Sequence, residues 1–348
     1  NHKILDSITQ NEDVEYCFKL CDGKCPMLDD NGLCEIHKNL GEDYLGVVCK
    51  QFPRYSEYYG TIKESGIGLA CEEAARIILS ENRPFSMETA ACDEEYEPSS
   101  EYDSSFALQI FAAREAVFKI LAKESLSIHE KLIVILDMGS KIQQCINTDE
   151  YDNIKSVVND YLKEGIAHTL DETRNLSDSG QFEDISLQQG IRQILYPYEE
   201  MEVLNPEWEV ILKDIIDSLF EQMSDEEYNI LNEEFGTYMV SRAYEYRQRL
   251  EYLVFRYFAK SIYDYDFLGK CQMLVTNFFV IRQMDIIRWL DNHREYSFKD
   301  RMDVVHIFSR QVEYSEDNIE NLYEDFIFDD IFKTDSLIAI LWIDSENI

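Results

Sequence analysis

Cysteine is the residue type in this sequence with the clearest chemical pattern. Six of the nine cysteines lie between Cys17 and Cys71, with the spacing C-x3-C-x3-C-x8-C-x14-C-x21-C. Thiolates carried on turns can converge on one centre, and four of them suit either a tetrahedral zinc ion or an iron–sulfur cluster. The sequence therefore predicts a metal centre with the ligands Cys25, Cys34, Cys49 and Cys71. A plainer interpretation is that several of these cysteines are small buried core residues.

Two further cysteines, Cys145 and Cys271, fall in helical patterns and are predicted to be unreactive core residues. Residues 1–6 contain no apolar stretch of the kind found in a secretory signal. A cysteine cluster in such a chain favours metal binding over a disulfide framework. The expected location is therefore the cytoplasm.

The composition indicates a folded and strongly acidic protein. Of the 348 residues, 45% are hydrophobic and 13% are aromatic, which is enough for a sizeable core. A net charge of -37 repels phosphate, so binding to nucleic acid or to an anionic membrane surface is not expected. The acidic surface either serves solubility or attracts a lysine-bearing substrate or a cationic cofactor. The most apolar stretch, residues 273–290, is interrupted by Arg282, Asp285 and Arg288, so no membrane-spanning helix is predicted.

The distribution of turn residues predicts a mainly α protein in two parts. Residues 1–91 form a small, turn-rich, cysteine-rich segment that binds the metal. Residues 105–348 form an all-helical domain. Between them, residues 92–104 are acidic and broken by Pro98, which predicts a linker.

Periodicity predicts where the regular elements lie. In the cysteine-rich segment, we predict two short helices, at 34–40 and 71–80, and a hairpin at 55–69 that turns near Gly60. In the second part, apolar residues recur every three or four positions. This predicts helices from 105, from 127, at 151–165, at 206–222, from 224, and at 240–262, 266–291, 297–312 and 316–326. Residues 171–190 are polar and aperiodic, which predicts a loop.

Several strings of this sequence resemble segments of the flagellin lysine-N-methylases, a mostly helical bacterial family. In the cysteine-rich segment these are CPMLDDNGLCEI at 25–36, LGE at 40–42, Cys49 followed by Pro53 and Arg54, and LACEEAARIIL at 69–79. In the helical part they are EYLV at 251–254 and IFSRQVE at 307–313. The similarity spans most of the chain, and the cysteine-rich segment is its specific part. Members of the family carry a further cysteine-rich stretch upstream of the strings that match here.

The resemblance implies methyl transfer from S-adenosylmethionine to lysine side chains of flagellin, with a 4Fe-4S cluster, or zinc as the alternative, on the cysteines. For the cofactor, Arg54 is a candidate to bind a carboxylate such as its methionine end. Glu64, in the predicted hairpin, is a second candidate and would orient an amine. The sequence lacks a G-x-G-x-G loop after a strand, so a Rossmann-type methyltransferase is not expected.

Two other functions stay open at this point. The protein could be a non-catalytic interaction module that a metal holds together and that docks a flagellar or other protein. It could also be a metal-chelating or redox-sensing protein whose exposed thiolates do the work. Binding of S-adenosylmethionine separates the enzyme from both alternatives.

Overall fold

The computed structural model describes residues 2–10, 16–21, 24–80, 82–91, 103–178 and 185–346. The protein is 72% helical with two small two-stranded sheets, so the mainly α prediction is confirmed. The chain divides into two compact units, Asn1–Tyr55 and Ser56–Ile348. Most of the predicted linker, 92–102, lies outside the described residues, so the division into 1–91 and 105–348 stays a prediction.

The first unit consists of short elements joined by turns. Its helices are His2–Asp6, Glu35–Leu40 and Val47–Gln51, with a 3-10 turn at Glu42–Tyr44, and its strands are Ile8–Thr9 and Cys17–Phe18. The helix predicted at 34–40 is confirmed: it follows Cys34 and ends at Gly41. Gly41 has a φ of 93°, which glycine adopts without the steric cost that a Cβ would impose.

The second unit begins with the predicted hairpin. Its strands are Arg54–Tyr59, which starts at the end of the first unit, and Ile62–Ile67. The turn contains Gly60 with a φ of 62°, as the sequence predicts. The predicted short helix follows at Glu72–Leu79, with Cys71 at its N-cap.

The rest of the second unit is helical. Its other α-helices are Ser104–Leu121, Ile128–Asn147, Ile154–Asp160, Ile166–Asp178, Leu187–Glu199, Pro206–Ile215, Asp225–Met239, Ala243–Tyr257, Ser261–Asp264, Phe267–Asp291, Phe298–Phe308, Glu316–Phe328 and Thr334–Glu346. Short 3-10 segments lie at Tyr151–Asn153, Val240–Arg242, Phe258–Lys260 and Asp330–Phe332, and π segments at Tyr161–Gly165, Ile216–Glu221 and Ser309–Glu313. Two of these helices begin with a capping box, in which Ser127 pairs with Glu130 and Ser224 with Glu227. Both helices start where the sequence predicts.

The core of this unit is built around the helix Phe267–Asp291, called here the central helix. It is buried along nearly its whole length and packs against the helices Ile128–Asn147, Phe298–Phe308 and Ala243–Tyr257. The last of these carries four tyrosines and is called here the tyrosine-rich helix. Among the described residues, no helix combines the length and the apolar character needed to cross a membrane.

The prediction of a loop at 171–190 is wrong, because most of the described residues in this range are helical. Residues up to 178 belong to the helix Ile166–Asp178, and the helix Leu187–Glu199 begins before 190. The first of these helices buries Thr169 and Thr173 instead of a row of aliphatic residues. Thr169 donates to Asp137 at 2.7 Å and Thr173 donates to the Thr169 carbonyl. A helix that packs through hydrogen-bonded threonines has no apolar periodicity, which explains the wrong prediction.

Candidate functional site

The six clustered cysteines differ from the two downstream ones in exposure. Cys17, Cys21, Cys25, Cys34, Cys49 and Cys71 are exposed or half-buried thiols, and none forms a disulfide. The interpretation of the predicted ligands as small core residues therefore fails. Cys145 and Cys271 are buried, as predicted. Burial raises the pKa of both thiols, which keeps them protonated and unreactive.

The described residues do not gather the predicted ligands into a metal site. Cys25, Cys34 and Cys49 lie in the first unit and Cys71 in the second. Within the part of the chain that the structure describes, no three His, Cys, Asp or Glu side chains are grouped closely enough to hold a metal ion. The donor chemistry of four thiols suits zinc or an iron–sulfur cluster, so the metal site stays a prediction. No step of the mechanism below uses a metal.

The two predicted cofactor residues lie in different units. Arg54 is exposed in the first unit, where its guanidinium donates to the Lys50 carbonyl at 3.3 Å. Glu64 lies on the strand Ile62–Ile67 of the second unit and is engaged by the buried Arg114. Two parallel hydrogen bonds of 2.5 and 2.6 Å join that guanidinium to both carboxylate oxygens. Such a bidentate pair fixes Glu64 in place and neutralises its charge.

Another group of polar side chains in the second unit combines a buried carboxylate with arginines and tyrosine hydroxyls, side chains that can bind charged ligands and transfer protons. Its centre is Glu313, whose side chain is completely buried. The carboxylate accepts from Arg249 at 2.5 Å, from the Tyr252 hydroxyl at 3.1 Å and from the Tyr257 hydroxyl at 3.4 Å. Arg256 lies 3.5 Å from the same carboxylate and donates to Tyr252 at 2.5 Å. These residues, together with Tyr314 next along the chain, are called here the Glu313 cluster.

Two structural elements hold the cluster together. Arg249, Tyr252 and Arg256 follow one another at three- and four-residue spacing, so they share one face of the tyrosine-rich helix. Glu313 ends the π turn Ser309–Glu313 that extends the helix Phe298–Phe308. π turns occur often at functional sites because the inserted residue changes the direction in which the next side chains point.

The cluster keeps a negative charge in the interior. Burial raises the pKa of Glu313, but the charges of Arg249 and Arg256 outweigh it, so that pKa is lowered from its ordinary value. Burial and the neighbouring Glu313 raise the pKa of Tyr257 well above its ordinary value. Glu313 is therefore ionised at neutral pH, while Tyr257 remains a neutral hydroxyl donor.

The cluster reaches the surface beside Cys71. Tyr314 is 43% exposed, and its pKa is raised by burial, then by Glu313 and by the nearby Cys71. The Tyr252 hydroxyl accepts from the Leu69 amide at 3.4 Å. Three strings that resemble the family, at 69–79, 251–254 and 307–313, therefore meet at this one place.

His306 adds a candidate proton acceptor at the same edge. Burial, followed by the charge of Arg310, lowers its pKa below the ordinary value, while a hydrogen bond to the Ala70 backbone acts in the opposite direction. The imidazole is therefore neutral at pH 7, and its buried Nδ1 has no hydrogen-bond partner among the described residues.

A cavity of about 660 Å³ lies elsewhere in the second unit. Its walls come from the hairpin, from residues 85–91 and from Phe255 of the tyrosine-rich helix. Glu64 lines it, so one predicted residue faces a space of the size that small ligands occupy. The aromatic walls are held by ring contacts. The centre of the Phe85 ring lies 4.3 Å from that of Phe118, on which it stacks, and 5.7 Å from that of Phe255.

Sequence reasoning identified Glu64 but missed the residues at the centre of the Glu313 cluster. The strings at 251–254 and 307–313 contain Tyr252 and Glu313, so the signal was present as resemblance. No periodicity or spacing in the sequence indicates that two residues 61 positions apart exchange a hydrogen bond.

Comparison with known proteins gives a family match to the region that contains the Glu313 cluster. The FliB lysine N-methylase C-terminal domain matches residues 114–340, a range that includes the Glu313 cluster. Over 59 residues, the chain is 37% identical to the flagellar biosynthetic protein FliU of Salmonella muenchen, covering 17% of this chain and 35% of that protein. It is also 37% identical over 59 residues to the lysine-N-methylase of Salmonella typhimurium, of which 15% is covered.

These two alignments span about a third and about a sixth of the relatives' own length. No solved structure matches the chain. The domain match, in contrast, extends over more than half of the sequence. The chain therefore belongs to the family defined by the FliB lysine N-methylase C-terminal domain.

Proposed function

We propose that the protein transfers a methyl group from S-adenosylmethionine to lysine side chains of a flagellar protein, with flagellin as the substrate, and that the Glu313 cluster is the reaction centre. The observation that carries the proposal is the meeting of three family-like strings at Tyr252 and Glu313. Family membership supports lysine as the acceptor, and similarity to the flagellar biosynthetic protein FliU supports a flagellar substrate.

The exposed edge of the cluster is suited to cationic ligands. Arg256 lies 5.3 Å from the centre of the Tyr257 ring and 5.7 Å from that of Tyr314, so these aromatic faces already hold a cation. The sulfonium of S-adenosylmethionine is a cation of the same kind, and its carboxylate matches the guanidinium of Arg256. When bound, this cofactor supplies an electrophilic methyl group.

The acceptor amine must be neutral before it can react, and the pKa of a free lysine is about 10.4. Arg249 and Arg256 are cations, so they lower the pKa of any ammonium group that enters beside them. Ionised Glu313 and the neutral Tyr257 hydroxyl hold the site in one geometry. The neutral imidazole of His306 accepts the proton that the ammonium releases. The neutral amine would then be the nucleophile to which bound S-adenosylmethionine would supply its methyl group, with the thioether of the cofactor as the leaving group.

The metal prediction is tested separately. We propose that the thiols of Cys25, Cys34, Cys49 and Cys71 bind an iron–sulfur cluster or zinc that stabilises the protein, because methyl transfer to an amine needs no redox step. Iron, sulfide and zinc would be measured on anaerobically purified protein. Iron together with sulfide supports a cluster, and zinc alone supports the alternative. If the protein contains neither iron nor zinc at a stoichiometric level, the metal proposal is contradicted.

The enzyme proposal is tested by a methyl-transfer assay with labelled S-adenosylmethionine and flagellin, combined with calorimetric titration of the cofactor. Tyr314→Ala should weaken cofactor binding about tenfold, since one cation–aromatic contact is worth about 1 kcal/mol or more. Tyr196→Ala is the matched control, because Tyr196 is an exposed tyrosine whose hydroxyl donates to Glu200.

The outcomes separate the enzyme from the other two functions. Saturable cofactor binding with transfer to lysine supports the methylase. Absence of cofactor binding in folded protein contradicts it and favours an interaction module. If oxidation of the exposed thiols reversibly changes the affinity for a protein partner while no cofactor binds, the redox-sensing function is favoured instead.

A further inference from the structure

A groove of about 490 Å³ lies between the helix Leu187–Glu199 and the residues that follow the helix Glu316–Phe328. Each side contributes three lining residues, which are Arg192, Gln193 and Tyr196 on the helix and Asp329, Asp330 and Ile331 opposite. All six lie in the continuous described stretch 185–346. The groove shares no residue with the Glu313 cluster, so it is not part of the proposed reaction centre.

Two large apolar side chains stand in solvent beside this groove. Ile327 and Phe328 immediately precede the lining residues on one wall, and they are 72% and 79% exposed. Tyr196 on the other wall is also exposed. Apolar side chains that lie together at a groove and are rimmed by polar residues are typical of a surface that binds another protein.

The carboxylates around the groove outnumber the cations. Arg192 pairs with Glu199 and Lys333 pairs with Asp330, each at 2.5 Å. Four more carboxylates form no ion pair within the described stretch 185–346, namely Glu200, Glu324, Asp325 and Asp329. The rim of the groove therefore carries an excess of negative charge.

These four carboxylates lie close enough to repel one another. Burial raises the pKa of Asp325 above its ordinary value, and the charges of Asp329, Glu200 and Glu324 raise it further. No cation is placed to offset this repulsion, so a positively charged group that binds here gains favourable interactions with several carboxylates. The charge of the surface therefore complements a basic partner.

Charge also disfavours two other occupants of the groove. A second copy of the chain carries the same net charge of -37, so self-association through this surface would bring like charges together. The residues of the chain that the structure does not describe contain no lysine or arginine in their sequence. Neither source supplies the cations that the four carboxylates favour.

We propose that this surface docks a basic segment of a protein partner, whose apolar residues pack on Ile327 and Phe328 and whose lysines pair with Asp325 and Asp329. A protein segment fits better than a small molecule, because the two exposed apolar residues extend the surface beyond the groove itself. The inference goes beyond the proposed function, since docking requires neither a cofactor nor methyl transfer.

The test uses a fluorescent helical peptide of about 15 residues, with leucines on one face and lysines on the other. Its binding to the full chain would be measured by anisotropy at about 0.15 M salt, where long-range attraction is screened. Ile327→Ala and Phe328→Ala should each weaken binding about tenfold, because each removes an apolar contact from the interface. Ile230→Ala is the matched control, since Ile230 is an exposed isoleucine on the helix Asp225–Met239 and should change the affinity less than about twofold.

A second comparison tests the charge. The double variant Asp325→Asn with Asp329→Asn should weaken binding about tenfold, because it removes two carboxylates from the docking surface. Asp214→Asn with Asp291→Asn removes the same number of charges from exposed aspartates elsewhere, and it should weaken binding less than about twofold. A peptide with serine in place of every leucine keeps all the lysines and should bind at least about tenfold more weakly.

Three results would overturn the proposal. The first is equal affinity of Phe328→Ala and Ile230→Ala for the peptide, with circular dichroism unchanged. The second is an equal loss of affinity in the two double aspartate variants, which would mean that any acidic surface of the chain attracts the peptide. The third is a dimer of the unmodified chain that Phe328→Ala dissociates in sedimentation, which would assign the surface to a second copy.

Discussion

The second unit contains two buried clusters of carboxylate, arginine and tyrosine side chains, and the pKa of the central carboxyl group shifts in opposite directions in the two. In the Glu313 cluster, one carboxylate meets two arginines and two tyrosine hydroxyls. In the second, Asp285 accepts from Arg301 at 2.6 Å and from the hydroxyls of Tyr246 and Tyr296. Its arginine is shared, because Arg301 also donates to Glu245 at 2.9 Å. The residues Arg301, Tyr246, Tyr296, Glu245 and Asp285 are called here the Asp285 cluster.

The number of neighbouring cations decides the direction in which each carboxyl pKa shifts. Burial raises the pKa of Asp285, and one shared arginine does not compensate, so that pKa is above its ordinary value. Burial also raises the pKa of Glu313, but two arginines outweigh the effect and the pKa is lowered. The two clusters also differ in how deeply they are buried. The Asp285 cluster is buried throughout, while the Glu313 cluster reaches the surface at Tyr314. We infer that the first stabilises the fold and that the second carries function.

The largest expected effect is on stability, from Asp285→Ala. Removing one partner of a buried ion pair costs about 3–5 kcal/mol, because the remaining charge is left uncompensated. Asp291→Ala is the control, since Asp291 is an exposed aspartate on the same helix and its loss should cost less than about 0.5 kcal/mol. Urea unfolding followed by circular dichroism measures both. A loss of unfolding free energy below about 1 kcal/mol for Asp285→Ala would contradict the inference that the Asp285 cluster stabilises the fold.

The next effect is on catalysis, from Glu313→Gln. Glutamine keeps the shape and one acceptor oxygen but removes the charge that fixes Arg256 and Tyr252, so the methyl-transfer rate of folded protein should fall about 100-fold. Single-turnover rates with labelled cofactor, taken at a temperature where circular dichroism shows a folded protein, measure the loss. A folded variant with an unchanged rate would mean that the Glu313 cluster is structural, like the Asp285 cluster.

Arg256→Lys should have a smaller effect. Lysine keeps the positive charge but loses the planar guanidinium that donates to Tyr252 and lies over the tyrosine rings, so the rate should fall about tenfold. Arg76→Lys is the control because Arg76 is an exposed arginine paired with Glu73. In Arg256→Gln, the rate–pH profile should also move to higher pH, since loss of a cation raises the pKa of the acceptor amine. An unmoved profile would exclude this role for Arg256.

The smallest effect is on the acid dependence of stability. Because the pKa of Glu313 is lowered from 4.5, its stabilisation is present above pH 4.5 and is lost as pH falls through the lowered pKa. Because the pKa of Asp285 is raised from 3.8, its contribution is present below pH 3.8 and is lost as pH rises through the raised pKa.

Unfolding free energies between about pH 3 and pH 7 check these signs, at about 1.4 kcal/mol for each unit of pKa difference. Glu313→Gln should make stability depend less on pH at the acid end. Asp285→Asn should make it rise more steeply between pH 4 and 7. Parallel curves for both variants would contradict the opposite pKa shifts.

Local signals predicted much of the fold because they act over a few residues. The capping box of Ser127 and the hairpin turn at Gly60 depend on neighbours three positions apart or fewer. The helix Ile166–Asp178 could not be predicted in this way, since Thr169 is buried by a hydrogen bond to Asp137, 32 positions away. The C-terminal helix Thr334–Glu346 was not identified individually for a related reason: it is apolar around most of its circumference, which hides the helical period.

The candidate site was predicted only in part. Exposure of the clustered cysteines agrees with a chemical role for them, but the described residues do not bring three of them together. Glu64 lines the cavity from the strand Ile62–Ile67, and its pairing with Arg114 depends on a contact 50 positions away. Resemblance alone pointed to the strings at 251–254 and 307–313, without assigning a role to either.

The sequence by itself determined most of the helices, the hairpin and the family of this protein. Helix periods, caps, turn residues and family-like strings are local patterns, and each is readable from the order of residues. Only the tertiary structure decided the directions in which the buried carboxyl pKa values shift. Two carboxylates, Glu313 and Asp285, are both buried beside arginine and tyrosine, yet their pKa values shift in opposite directions. The reason is physical: a pKa depends on how many cations surround the group and how deeply it is buried, and packing sets both quantities.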